Sequence, residues 1–204
     1  MMQGELARAV RLAWEEDGCL TGARFEGELL EGADLSGMEL TGVKLSGCRL
    51  VGCVLDKIRF YDCLLEGCAF QACRFQGGYW SGTMMTDCKG EGCDFRDSRI
   101  KGCRWTRDRL RYANFTDSVW DGGSLSHCDL RETALSGIRF KGLKLERTDL
   151  TGAELFKAQL KGIDLSDCTI DDISLSEHCT ELKGAKIAAN QAAVVARILG
   201  IQVE

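Results

Sequence analysis

Twelve cysteines and two histidines are the residues of this 204-residue chain that could ligate a soft metal, form disulfides or act as nucleophiles. Their spacing argues against all three roles. Ten of the cysteines (Cys48, Cys53, Cys63, Cys68, Cys73, Cys88, Cys93, Cys103, Cys128 and Cys168) lie at separations that are multiples of five. Zinc and iron–sulfur sites draw instead on close pairs, roughly two to four residues apart. His127 and His178 each sit beside a cysteine in sequence, which is not the spatial pairing a Cys–His nucleophile needs. Every glycine-rich stretch follows the same five-residue spacing, leaving no separate phosphate-cradling loop. The residues thus point to no catalytic group, no metal, no cofactor and no small-molecule substrate.

The spacing itself is the dominant signal. From Leu20 to Leu175 every fifth residue is large and apolar at 31 of 32 positions, the exception being Gly90. Two residues before most centres stands a small or compact side chain, such as Ala33, Val43, Cys48 or Ser118, and glycine stands two residues after the centre in 17 units. The places between are polar, as in Ala33-Asp34-Leu35-Ser36-Gly37. A period of five fits neither the helical 3.6 nor the strand period of about 2, so the chain must turn a corner in every unit. Glycine at that corner tolerates the positive φ of a type II turn. The absence of proline leaves every backbone N–H free to donate along a continuous ladder.

The pattern small–Asp/Asn–Leu/Phe–polar–Gly resembles the pentapeptide-repeat family. The resemblance implies an all-β solenoid, a right-handed quadrilateral parallel β-helix of about eight coils with four units per coil. Centres 20, 40, 60 and so on would then form a first face, with the series from 25, 30 and 35 forming the second, third and fourth. Cysteine in the inward slot reads as a small hydrophobe. Neighbours one coil apart have parallel side chains that suit the disulfide dihedral poorly, so reduced thiols are expected. The ladder through Trp80, Ile100 and Trp120 should be the widest part of the core. Gly90, with Asp108 inward between Cys88 and Cys128, marks residues 77–112 as the least regular segment.

Outside the repeat the pattern changes, giving three expected regions: 1–17, 18–187 and 188–204. Leu6, Ala9, Val10, Ala13 and Trp14 recur at helical spacing over residues 5–16, as a lid on the first coil would require. Residues 188–199 form a second helix, apolar on more than one face, with Ile201-Gln202-Val203 alternating like a short strand. Its surplus apolar surface, through Val194, Val195, Ile198 and Leu199, predicts a homodimer seam. With no apolar run long enough for a membrane helix and no secretory leader pattern, a cytoplasmic protein is expected.

Charge is unevenly spread around such a coil. The first face sums to +3 and the second to 0, while the third and fourth carry −4 and −3. Asp94, Asp97, Asp117, Asp129, Asp149, Asp171 and Asp172 lie on those two acidic faces and are the candidate partner-binding residues, attractive to a basic surface. The arginines between Arg96 and Arg111 wrap the rod as a girdle, which argues against direct nucleic-acid binding. Within the family, the chain resembles the quinolone-resistance (Qnr-type) and microcin-immunity branch. That resemblance implies a non-catalytic DNA mimic that binds DNA gyrase or topoisomerase IV and relieves their poisons. A scaffold for other protein–protein contacts is the alternative.

Overall fold

A computed structural model describes residues 4–203. The chain forms a parallel β-solenoid capped by one helix at each end. The strands are three residues long, and each pairs in parallel with the strand twenty residues further on, as in Leu20↔Leu40, Phe60↔Trp80 and Trp120↔Phe140. The first and second faces are each seven-stranded sheets, and the third contains a three-stranded sheet. The fourth face is joined by single bridges, Asp34↔Val54, Val54↔Arg74 and Arg74↔Asp94. Leu35, Leu55, Phe75 and Phe95 therefore share one face, as the period requires. On the first face the bridge Arg139↔Gln159 adds an eighth rung to the seven strands.

Corners adopt the left-handed conformation whether or not glycine occupies them: Gly67 has φ 61° and Ala72 φ 51°. Most of the other non-glycine corners are Asp or long polar residues, including Asp62, Asp97 and Asp117. Aspartate is one of the few side chains with some tolerance for this region.

The interior alternates large centres with small neighbours so that volume is conserved. Beside Leu40 and Phe60 the inward slot holds Met38 and Ile58; beside the larger Trp80 and Trp120 it shrinks to Gly78 and Ser118. Trp80, Trp105 and Trp120 are fully buried and meet edge to face, Trp105 lying 5.6 Å from Trp80 and 4.7 Å from Trp120 between ring centroids. Phe75, Phe95 and Phe115 stack nearly parallel at 4.8 Å. The aromatic core thus spans three faces, wider than the single Trp80–Ile100–Trp120 ladder that sequence singled out.

The segment 77–112 keeps the register, contrary to expectation. Lys89 bridges to both Ala69 and Arg109, and the Leu110 side chain leans into the space a side chain at position 90 would fill, 3.0 Å from where a Cβ would stand. The irregularity lies instead at residues 176–191. There the next bridge, Asp164↔Lys186, spans twenty-two residues rather than twenty.

Both caps differ in detail from the sequence reading. Helix α1 spans Glu5–Glu15 and buries Leu6, Ala7, Val10 and Ala13. Trp14 stays half exposed, its indole N–H donating to the Asp34 carbonyl at 2.8 Å. Helix α2 is shorter than expected, Ala192–Ile198, preceded by a 3-10 turn at Ala189–Gln191. Residues 201–203 make no strand, because no ladder partner lies beside them.

Candidate functional site

The inward slot does more than take small side chains. Its thiols and hydroxyls donate to the carbonyl of the centre residue twenty-three positions earlier: Cys63 Sγ to Leu40 O at 3.2 Å, Cys93 Sγ to Phe70 O at 3.3 Å, Ser118 Oγ to Phe95 O at 2.8 Å. Several also accept a backbone N–H from the rung before, as Thr83 Oγ1 does from Cys63 and Cys88 Sγ from Cys68. Cysteine is therefore a hydrogen-bonding member of the ladder as well as a compact apolar one. Burial pushes the Cys93 thiol up to about 11 and Cys103 and Cys128 up to about 12, which suppresses thiolate formation at those three positions. All twelve cysteines are free, and among the described residues no group of three or more His, Cys, Asp or Glu is placed to hold a metal ion. His127 and His178 are exposed.

Asp108 replaces the thiol in one of these slots and is fully buried. Its Oδ1 accepts the Cys88 N–H at 2.8 Å, while Oδ2 has no partner. Burial pushes its carboxyl up to about 7, against the opposing pull of backbone hydrogen bonds from Cys88 and Thr106.

The seven candidate aspartates fall into two groups. On the third face Asp129 and Asp149 are direct ladder neighbours, with Asp171 and Asp172 further toward the C-terminus. Asp94, Asp97 and Asp117 belong to the fourth face. Arginines already clasp part of this field. Arg96 pairs with Asp94 at 2.6 Å, and Arg131 binds Asp129 while its Nε lies 3.6 Å from Asp149. These clasping arginines follow their aspartates by two residues, a local pairing that a face-by-face sum of charge hides. Among the described residues Asp97 accepts only the Gln76 amide, at 3.1 Å. Asp117, Asp171 and Asp172 make no ion pair among the described residues, and the latter two line a depression of about 200 Å³ with Val194, Arg197 and Ile198.

That depression joins the acidic surface to α2. Val194 is buried against its own chain and Ile198 packs partly on the last coil, so both serve the cap. Val195 is half-buried, whereas Leu199, Ile201 and Val203 are half exposed. Two polar residues outside the repeat complete the C-terminal end. Gln191 donates through Nε2 to Leu165 O at 2.9 Å and Cys168 O at 2.7 Å, and its Oε1 accepts from Ala188 N. Glu181 accepts Lys157 N at 2.8 Å and both Ser176 N and Oγ. Burial pushes its carboxyl up, but these hydrogen bonds outweigh it and hold the group below its usual range. No periodic signal marks either residue, since each matters only through backbone groups that the end of the ladder leaves open.

No helix among the described residues is long and apolar enough to cross a membrane. Among curated proteins none matches the sequence at a significant level. Among solved structures the fold is similar to that of a trypsin-treated variant of QnrB1, a plasmid-mediated fluoroquinolone resistance protein. That match has 24% identity over 91% of this chain and 97% of that one, with a TM-score of 0.54. HetL, a pentapeptide-repeat protein involved in heterocyst differentiation regulation in the cyanobacterium Nostoc, aligns at 17% identity over 92% of this chain and 93% of its own, with a TM-score of 0.33. The profile for pentapeptide repeats matches residues 19–56, 109–142 and 134–172, in eight copies. Together with the twenty-residue register of the strand ladders, this places the chain in the pentapeptide-repeat family.

Proposed function

We propose that the protein is a non-catalytic, cytoplasmic binding rod that presents a DNA-like acidic surface to the basic DNA-docking surface of DNA gyrase or topoisomerase IV and protects the enzyme from quinolone or peptide poisons. The observation that carries this reading is the depression in which Asp171 and Asp172 meet Val194, Arg197 and Ile198, with the residues that follow, Leu199, Ile201 and Val203, half exposed. A homodimer joined through α2 would double that acidic surface across a two-fold axis. The resistance function of QnrB1, which shares the fold, is in keeping with it.

A supercoiling assay with gyrase, with and without a fluoroquinolone, tests the proposal. Reversing Asp149, Asp171 and Asp172 to lysine, or placing a charge at the seam with Val195→Asp, should abolish protection and weaken binding roughly tenfold or more, more so at low salt. Reversing Arg139 and Lys141 should matter much less. Equal loss from both sets, or full binding by a monomeric Val195→Asp protein, favours the second reading, a scaffold for other proteins. The clasping of Asp94 and Asp129 by arginines is the observation that supports that alternative.

A further inference from the structure

Among the described residues eight cations of this rod pair with a carboxylate, as in Arg59–Glu39 at 3.2 Å, Arg107–Asp87 at 2.7 Å and Lys44–Glu66 at 2.8 Å. The C-terminal half of the first face instead gathers several unpaired cations on one strip. Arg99, Lys101, Arg139, Lys141 and Lys161 are all exposed, and none makes an ion pair among the described residues. Val119 stands between Arg99 and Arg139 in the ladder, and Asp121 between Lys101 and Lys141. Lys141 and Lys161 occupy equivalent places on successive rungs, following the bridge Arg139↔Gln159. Only Lys141 and Lys161 stack like charges on successive rungs, at about 4.8 Å, which costs the sheet, while Asp121 offsets Lys101 and Lys141.

We propose that this strip, from the Ile100 rung to the Leu160 rung, docks an acidic, extended segment of a partner protein. Arg99 and Arg139 lie two rungs, about 10 Å, apart, and each presents a planar fork suited to a carboxylate. The half-buried Val119 between them lines, with Tyr79, Ile100 and the charged Arg99, Lys101, Asp121 and Lys141, a depression of about 260 Å³ with room for an aliphatic side chain. The interruption by Val119 and Asp121 is what selects a peptide over a nucleic acid. A phosphodiester backbone brings a negative charge at every step and would set one against Asp121. A peptide can space its carboxylates to meet the two arginines and leave a neutral residue between them. This surface is separate from the acidic faces, so its use does not depend on the gyrase reading.

The test measures fluorescence polarisation of a labelled peptide repeating Glu-Ala-Val, whose glutamates recur on one face about every 9 Å in the extended polyproline II conformation. A Gln-Ala-Val peptide and a short labelled DNA duplex serve as comparison probes. The wild-type protein should bind the glutamate peptide, and Arg99→Glu with Arg139→Glu should weaken that binding roughly tenfold, as loss of charge-complementary contacts does. Arg24→Glu with Arg49→Glu, exposed cations on the second and third faces, should leave it unchanged. Thermal melts confirm folding, and Arg99→Gln with Arg139→Gln gives the same readout if the reversal fails to fold. Absence of peptide binding, equal binding of the glutamine peptide, equal loss from the control pair, or tighter binding of the duplex would overturn the proposal.

Discussion

The aromatic middle of the rod and its C-terminal end close the same ladder by opposite means. Between Phe60 and Trp120 each rung rests on another of the same shape, so backbone groups are met chiefly by the next coil, inward thiols and hydroxyls such as Cys63 and Ser118 add bonds to it, and the centres fill volume. Beyond Leu175 the next coil is only a fragment, the rung at Asp164↔Lys186. Glu181 and Gln191, both buried, take over the hydrogen bonds that a further rung would have made. The middle is held by packing and the end by polar contacts, so the two should fail under different perturbations.

Packing loss separates them most. Trp105 touches Trp80, Trp120, Phe95 and Phe115, and Trp105→Ala should cost about 4 kcal/mol in urea unfolding. Ile198→Ala, at a residue only partly buried on the last coil, should cost about 1 kcal/mol. Comparable losses at the two sites would mean that the cap, and not the aromatic core, limits cooperativity.

The pH response should divide the two regions by sign. Asp108 titrates at about 7 in the fold against about 3.8 for an exposed aspartate, so the folded state holds a proton that the unfolded chain releases between those values. Stability is therefore lost as pH rises from about 4 to about 7, by an upper limit of about 4 kcal/mol. Glu181, held below its usual range, behaves in reverse: its contribution is complete above the unfolded value and is lost as pH falls through the folded one. Asp108→Asn should flatten the neutral limb of a stability–pH curve and raise stability at pH values above about 7, while Glu181→Gln should flatten the acid limb. Urea midpoints across that range read both effects. A neutral limb unchanged in Asp108→Asn would show that the carboxyl is charged in the fold.

Sequence made the solenoid legible because one rule, repeated at every fifth residue, fixes strand register, corner and core together. It also placed Asp108 inward. It missed that Cys63 or Ser118 returns a hydrogen bond to the coil below, since the acceptor lies twenty-three residues away and belongs to the backbone. It misjudged Gly90, because whether a glycine leaves a void depends on how far Leu110 leans across a neighbouring rung. The candidate acidic surface was legible only as net charge; which aspartates are left open depends on where Arg96 and Arg131 reach.

The smallest effect concerns the corners, where glycine and other residues share one backbone shape. Ala72 holds φ at 51° with a Cβ, and the neighbouring corner Gly67 holds 61° without one. A Cβ built on Gly67 would meet nothing within 4 Å, so any penalty there is conformational and not steric contact. A left-handed alanine costs roughly 1–2 kcal/mol, part of which glycine returns through the greater freedom of its unfolded chain. Gly67→Ala should therefore destabilise by about 1 kcal/mol and Ala72→Gly should stabilise by somewhat less, with the twenty-residue register intact in both. The mirrored signs, read as shifts in urea midpoint at constant slope, would show that the corner is a property of the repeat and not of the residue. If Ala72→Gly destabilised instead, the Ala72 methyl would be contributing contacts that outweigh its strain, and the corners of this rod would not be interchangeable.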